Sequence, residues 1–537
     1  MAAHVPAAAI ALAATLVSLA GTALAAADAR TCAALRGLSI APAAIGAPSS
    51  GADISEAEIR ALEGGAEYCR VTGHVDPVDP AAPDINFEVN LPLDWNGKAV
   101  QFGGGGYNGT VPDGTRNVAY GADEAPTPLQ RGYVTLGSDS GHQSPPPPLD
   151  GRFMLNDEAL ANFGGLQIKK THDVAIALIR AFYEAAPERF YFQGSSQGGH
   201  EALIAIQRWP GDYDGAIVVH PANPFTALQL SGNRAGQALY APGAWVGPAE
   251  VELLNAAVTA ACDGLDGAED GLISHTSACA ETFDVQSLRC PSGGDEGESC
   301  LSDAQIAALD LLNSRYQAPW PLQGGATGFA RWPIYEGADL YGLWGMGKRP
   351  EPSIPPSPVQ DFGLAVLADP LIRFAFTRDP AFNSLTFRPE EYRDRILEVS
   401  ELLDSSQADL SPFADRGAKM LLMHGTTDFA ISPHNSTEYY LRIVEAMGEE
   451  KVRGFLRYYL VPGFGHGSGR FKMRWDPLTA LENWVEQGIP PANLVTADAG
   501  EEHAGRTRPL CEYPAFPRLN EGATDLAAAA SFTCATE

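Results

Sequence analysis

The chain has 537 residues, 45% of them hydrophobic, with 56 glycines and 41 prolines. That is enough for one large domain carrying an insertion or for two or three ordinary ones, built with many turns and long ordered loops rather than as a helical bundle. A net charge of −30, from 66 acidic against 36 basic residues, argues against nucleic acid and anionic membrane surfaces as partners.

Residues 1–25 read as a secretory leader, and the protein is expected to be secreted or periplasmic. Ala7 to Leu24 is almost wholly small and apolar, and Ala23-Leu24-Ala25 gives the cleavage pattern, although the first residues carry no Lys or Arg. No later run is long and apolar enough to span a bilayer. The eight cysteines, Cys32, Cys69, Cys262, Cys279, Cys290, Cys300, Cys511 and Cys534, fit an oxidising compartment. None sits in a CxxC, so zinc is disfavoured, and disulfides between sequence neighbours are the simplest pairing.

Residues 28–80 read as an arm, with Cys32 and Cys69 placed to staple it. Ile85–Leu91 alternates apolar and polar residues and predicts a half-buried strand. Ala99–Phe102 predicts a second strand, ending in the glycine run Gly103–Gly109. Such a run is commonly a flexible loop; it is also what a backbone needs to approach a ligand closely. Gly132–Ser138 predicts a buried strand before a Pro145–Pro148 loop. Ile168–Ala186 predicts an amphipathic helix with Val174, Leu178 and Phe182 on one stripe.

The segment Phe190–Gly199 then runs from an aromatic strand into Gly194-Ser195-Ser196-Gln197-Gly198, a G-x-S-x-G match, and on into a helix stopped by Pro210. That strand–turn–helix context is what a nucleophile elbow requires. Asp214–Val219 predicts one more strand. From about 224 to 408 the pattern changes to Pro, Gly and aromatics, including the loop Lys348–Pro358, and Lys419–His424 resumes the core-strand pattern. The expected organisation is a core in two parts, 26–223 and 409–537, around an inserted lid at 224–408. Strands alternating with helices imply an α/β fold with a mainly parallel sheet.

After the resumed strand comes Gly425-Thr-Thr-Asp428, then a helix from Ser436 to Ala446, a strand Arg457–Val461, and Pro462-Gly-Phe-Gly-His466 in a glycine-rich loop. The order Ser196, Asp428, His466 is that of α/β-hydrolases. A serine hydroxyl is a poor nucleophile without a base; His466 would take its proton, and Asp428 would fix the imidazole tautomer. The glycine run precedes the serine as the oxyanion loop does in that fold. Separately, Asp263, Asp266 and Asp270 place three carboxylates within eight residues of a glycine-rich loop, with the carbonyls of Ala268 and Leu272 between them. Hard oxygen ligands so packed suit calcium, though a solvated acidic turn has the same pattern.

These residues together resemble the tannase/feruloyl esterase family of α/β-hydrolases, which includes relatives acting on terephthalate monoesters. The resemblance spans nearly the whole mature chain. It rests on Tyr191–Gly199, Gln207–Pro210, Trp95–Gly97, Gly103–Gly109, Cys262–Ile273, His424–Asp428, Pro462–His466 and Arg506–Pro514. It implies Ser196, Asp428 and His466 as triad, and the N–H groups of Gly106 and Gln197 as oxyanion hole. It also implies structural Ca2+ on Asp263, Asp266, Asp270, Ala268 and Leu272, and a Cys262–Cys279 disulfide. The family's cysteines next to the catalytic serine and histidine, joined to each other there, are Ser195 and Gly467 here. Restoring both would form the bond on condition that Gly467 needs no positive φ. Lys348, Arg349, Arg373 and Arg378 are candidates for clamping a substrate carboxylate; an ordinary surface charge is the plain alternative for each. The expected function is an exported serine carboxylesterase acting on small esters of aromatic acids, with acyl transfer to an alcohol and a non-catalytic binding protein as rivals.

Overall fold

The computed structural model of the protein describes residues 28–144, 149–342, 344–353 and 361–536, with Met1 and Pro147. Apart from Met1, the leader expected at 1–25 lies outside the described residues, as do most of the Pro145–Pro148 loop and the end of Lys348–Pro358.

One sheet carries β1 (Ser39–Ile40), β2 (Gly51–Ala61), β3 (Glu67–Asp76), β4 (Ile85–Pro92), β5 (Lys98–Phe102), β6 (Val134–Ser138), β7 (Arg189–Ser195), β8 (Gly215–Val219), β9 (Lys419–Gly425) and β10 (Leu456–Val461). Its order is β1-β2-β3-β4-β6-β5-β7-β8-β9-β10. From β6 to β10 every neighbouring pair is parallel, and β1 to β4 extend the sheet antiparallel. The mainly parallel α/β sheet is therefore as the sequence predicts. The longer helices are α1 (Gln167–Tyr183), α2 (Gln197–Arg208), α3 (Phe225–Leu239), α4 (Pro248–Cys262), α5 (Asp303–Leu312), α6 (Gly363–Pro370), α7 (Arg393–Leu403), α8 (Pro433–Met447) and α9 (Pro477–Gln487).

Side-chain alternation along the parallel strands feeds two cores. Ala99, Phe192, Val218 and Leu422 join Val174, Leu178, Tyr439 and Ile443 of α1 and α8 on one face. Val100, Tyr191, Ile217 and Leu421 join Leu478, Leu481 and Trp484 of α9 on the other. The predicted stripe Val174, Leu178, Phe182 is buried in full. Helix α1 stops at Tyr183, short of Ala186, because Glu184 turns left-handed at φ 56° ahead of Pro187.

Residues 28–80, expected as an arm, instead build β1 to β3. The signal was weak because β2 is rich in Ala and Glu and a register shift between Ile54 and Glu56 interrupts its alternation. The cysteines pair as sequence neighbours throughout: Cys32–Cys69, Cys262–Cys279, Cys290–Cys300 and Cys511–Cys534.

Between β8 and β9 the helices α3 to α7 gather around a third apolar cluster. From the chain before β8 this cluster takes Tyr107, Met154, Leu160 and Phe163, and from the chain after β9 Phe429, Ala430 and Ile431. Helix α3 lies along α6 within it.

Candidate active site

Ser196 stands between the end of β7 and the start of α2, with φ 62° and ψ −122°. That conformation is costly for a residue with a Cβ and persists only where the surroundings over-determine it. Here the Ser196 N–H donates to Val219 at 2.9 Å, and its carbonyl accepts from His200 N–H at 3.0 Å. Serine is a good helix cap, yet this side chain caps nothing. Its hydroxyl lies instead 3.0 Å from His466 Nε2.

His466 Nδ1 lies 2.8 Å from Asp428 Oδ2, so three side chains that follow β7, β9 and β10 are bonded in series at the carboxyl ends of the parallel strands. Asp428 is fully buried and fixed on both oxygens. Oδ1 accepts from the N–H groups of Ala430 and Ile431 at 2.8 and 3.0 Å, and Oδ2 also lies 3.3 Å from His424 Nε2. Burial alone would raise this carboxyl, but the charge on His466 and hydrogen bonds from His424 and His466 hold it well below the usual range. His424 donates from Nε2 to the Ile431 carbonyl at 2.9 Å and accepts from Ser436 at Nδ1 at 2.8 Å. A hydroxyl, an imidazole and an ionised carboxylate in this series can deliver an alkoxide to a carbonyl carbon and return its proton to a leaving group.

Two side chains next to this series carried no sequence signal. Tyr120 places its hydroxyl 3.3 Å from Ser195 Oγ, and a Cβ on Gly467 would lie 3.5 Å from the Tyr120 hydroxyl oxygen. Gly467 has φ 78°, so the condition set for restoring a cysteine pair at 195 and 467 is not met. His220, directly after β8, is buried with neither ring nitrogen bonded, 5.3 Å between ring centroids from His466. Burial pushes its pKa far down, so it packs as a neutral ring.

The glycine run after β5 is a close-approach loop. A Cβ on Gly103 would stand 2.5 Å from the Gly198 Cα of α2, so the two backbones meet with no room for side chains. Gly106 has φ 62°, and the neighbouring Tyr107 buries its ring in the cluster of α3 to α7, donating its hydroxyl to the Leu367 carbonyl at 2.7 Å. Gln197 is the first residue of α2, whose opening N–H groups face no earlier turn. Glu201, one helical turn on, was not singled out from the sequence. Its spacing from Gln197 is the signal that would have found it.

In the acidic loop, Asp263 accepts from Gly271 N–H at 2.9 Å and Asp266 from Ala268 N–H at 2.9 Å, while Asp270 pairs with Arg508. Burial raises the carboxyls of Asp263 and Asp266, and Asp266 Oδ2 is buried with no partner. An all-oxygen donor set with one orphaned carboxylate oxygen fits a hard cation. Among the described residues, though, these three carboxylates are not drawn to within 4.8 Å of one another. Leu272, at the end of the loop, packs with Phe464 and Phe471 on either side of His466. Of the candidate clamping cations, Arg373 is bonded to Asp369, Arg378 to Asp157, and Arg349 lies 3.5 Å from Asp361. Lys348 is partly desolvated, which lowers its pKa.

The family model "Tannase and feruloyl esterase" matches residues 69–535. An uncharacterized esterase of Agrobacterium fabrum is 41% identical over 523 residues, 94% of this chain and 93% of that protein. The mono(2-hydroxyethyl) terephthalate hydrolase of Piscinibacter sakaiensis is 28% identical over 527 residues, 87% of this chain and 85% of its own. Among solved structures, feruloyl esterase B from Aspergillus oryzae superposes with TM-score 0.74 at 21% identity, over 90% of this chain and 97% of that one. That likeness establishes the α/β-hydrolase fold, and the sequence matches establish the family. The chain belongs to the tannase and feruloyl esterase family and is a carboxylic ester hydrolase.

Proposed function

We propose that the protein is an exported serine esterase that hydrolyses small esters of aromatic acids through an acyl-enzyme. The observation that carries this reading is the unbroken series Ser196–His466–Asp428, with the serine hydroxyl aimed at the imidazole rather than capping its own helix. Ser196 Oγ attacks the ester carbonyl carbon as its proton passes to His466 Nε2. The negative oxygen that forms is received by the N–H groups of Gly106 and Gln197. His466 returns the proton to the leaving alcohol, and the C–O bond breaks. Water then attacks the acyl-serine, giving its proton to His466, and Ser196 leaves with it. Asp428 keeps Nδ1–H bonded and stabilises the imidazolium at each stage. The aromatic acyl group is supported by the relatives, whose names specify terephthalate and feruloyl esters. Export is supported by the four disulfides. Among the described residues no helix is long and apolar enough to cross a membrane.

The acidic loop is proposed to hold a structural Ca2+ through the carboxylates of Asp263, Asp266 and Asp270 and the carbonyls of Ala268 and Leu272. When bound, the ion would neutralise the carboxylates of the loop; no step of the reaction passes through it. The reading is tested by fluorophosphonate labelling with mapping of the modified residue, followed by a panel of feruloyl, galloyl and terephthaloyl esters with and without added alcohol. Labelling at Ser196 and release of free aromatic acid are expected. Absence of labelling, or ester exchange dominating at low alcohol, would overturn it.

A further inference from the structure

Glu201 lies on α2, five residues after Ser196, and is fully buried. Its hydrogen-bond partners include no cation. Oε2 accepts from the Gly104 N–H at 2.8 Å; Oε1 accepts from Asn108 Nδ2 at 2.6 Å and Gln167 Nε2 at 3.1 Å. Two of these three donors belong to the glycine run after β5, and the third opens α1. A Cβ on Gly103 would meet Glu201 Oε2 at 2.9 Å, so the loop rests directly on the carboxylate. A buried charge without a counter-ion is expensive, and such a group is retained where its hydrogen bonds do something an apolar side chain could not.

We propose that Glu201 is a positioning residue for the oxyanion hole, its carboxylate clamping the Gly103–Gly109 loop to the helix that begins at Gln197. The proposal rests on the reading of Gly106 and Gln197 as the hole's donors. Those donors come from two separate segments, and their spacing is fixed only if the segments are tied. Glu201 is that tie, because it rides on the Gln197 helix and grips the loop on either side of Gly106, at Gly104 and Asn108. The ionised form accepts every one of these N–H groups. A proton on either oxygen removes an acceptor and adds a donor among donors, so the grip loosens.

Burial raises the Glu201 carboxyl from its ordinary value to about 7. The titratable and charged groups on the surrounding elements include His200 and Arg208 on α2, Tyr107 in the loop, Asp139 and His142 after β6, and Lys169, Lys170, His172, Asp173 and Arg180 on α1. Burial lowers His142 to about 4 and His200 to about 3, so both stay neutral near pH 7. Lys170 is bonded to Asn162 and Glu158, and His172 to Asp173. Burial raises Asp139 to about 6, and its hydrogen bonds go to Asn86, Gly141 and Gln143. The sign follows from the raised value: the folded state holds this proton more tightly than the unfolded chain. Its stability contribution is present at low pH and is lost as pH rises through about 7, while activity rises over the same window.

The test compares the wild type with Glu201→Gln and Gln167→Leu, reading kcat and KM against pH, melting temperature against pH, and fluorophosphonate labelling of Ser196. Glu201→Gln should lose tenfold or more in kcat with KM little changed. Its acid limb should be one proton less steep, and its melting temperature should fall less with pH up to 7. Gln167→Leu, which removes one donor from the carboxylate, should lose severalfold in kcat and move the acid limb upward; it decides the matter if Glu201→Gln does not fold. Folded variants that label normally and keep kcat within twofold and the wild-type limb would overturn the proposal. Wild type that fails to label at Ser196 would instead overturn the esterase reading on which it rests.

Discussion

The nucleophile turn and the histidine loop face each other across 3.0 Å, yet they are held by different means. Around Ser196 the constraint is backbone: a strand, a helix, and the main-chain bond to Val219. The loop Gly463–Gly469 has four glycines in seven residues and no regular element. Its backbone closes on itself through Gly465 N–H to Ser468 O at 2.9 Å and Phe471 N–H to Gly463 O at 3.1 Å. Beyond that it takes one main-chain bond from the segment after β9, Thr427 N–H to Phe464 O at 3.1 Å, and otherwise leans on side chains: Ser468 on Asp339 between α5 and α6, Gly463 on Thr426, and Phe464 on the core that Leu272 joins. A turn built into the sheet is preorganised by the fold; a glycine loop is preorganised only by its neighbours, and its unfolded state has much entropy to lose.

The sharpest way to test the first half of this contrast is Ser196→Ala. The turn should survive and activity should fall by about a million-fold, the cost of losing a triad nucleophile. Ser195→Ala, which removes only the partner of the Tyr120 hydroxyl, should be far milder. Equal losses in both variants, with unchanged melting curves, would put the nucleophile elsewhere. Asp428→Asn tests the second half. Oδ2 would become either a donor facing His466 or a weaker acceptor, and the imidazole would lose its tautomer. A drop of about ten-thousandfold in kcat is expected, with the fold intact. A loss below about a hundredfold would mean that the loop holds His466 without its carboxylate.

How much of this was legible in the sequence follows the same division. The elbow announced itself because its chemistry depends on local order: aromatic strand, glycines, serine, helix. Asp428 and His466 were legible by order along the chain and by their place after strands. The start of α8 at Pro433 rather than Ser436 was also readable, since Ser432 caps it and proline suits the first helical position. What stayed hidden were contacts made in space. Tyr120 reaches Ser195 from 75 residues away, and Gln167 reaches Glu201 from 34. Nor could residues 28–80 be recognised as strands, since β2 takes its place by pairing with β3 rather than by its own Ala- and Glu-rich composition.

Calcium gives a third measurement, because the acidic loop supports only one side of the comparison. Leu272 shares a core with Phe464, and a Cβ on Gly463 would lie 2.4 Å from Leu272 Cδ2. A ligand bound only by the folded protein raises its melting temperature by mass action. Chelation should therefore lower the melting temperature and then reduce kcat as the histidine loop loosens, while the strand–helix turn stays in place. A melting curve unchanged by EDTA, together with no metal by elemental analysis, would sink the calcium proposal.

The smallest expected effect comes from joining the two regions covalently with Ser195→Cys/Gly467→Cys. A disulfide closing so long a loop would by itself add about 2–4 kcal/mol. Two features of this chain work against it. Gly467 sits at φ 78°, where a residue with a side chain costs about 1–3 kcal/mol, and replacing Ser195 removes the hydroxyl that lies 3.3 Å from the Tyr120 hydroxyl. The opposing terms nearly cancel, so the oxidised double variant should melt within about 3 °C of the wild type. Gly467→Ala alone should melt lower, since it carries the strain without the bond. Adding Tyr120→Phe to the cysteine pair removes the hydroxyl that has lost its Ser195 partner and should recover part of the missing stability. The decisive readings are free-thiol titration and melting temperature for the three variants. If the double variant formed its disulfide and gained the full stabilisation with Tyr120 in place, the histidine loop would be far more adaptable than its hydrogen bonds imply, and it would differ from the nucleophile turn more than those bonds do.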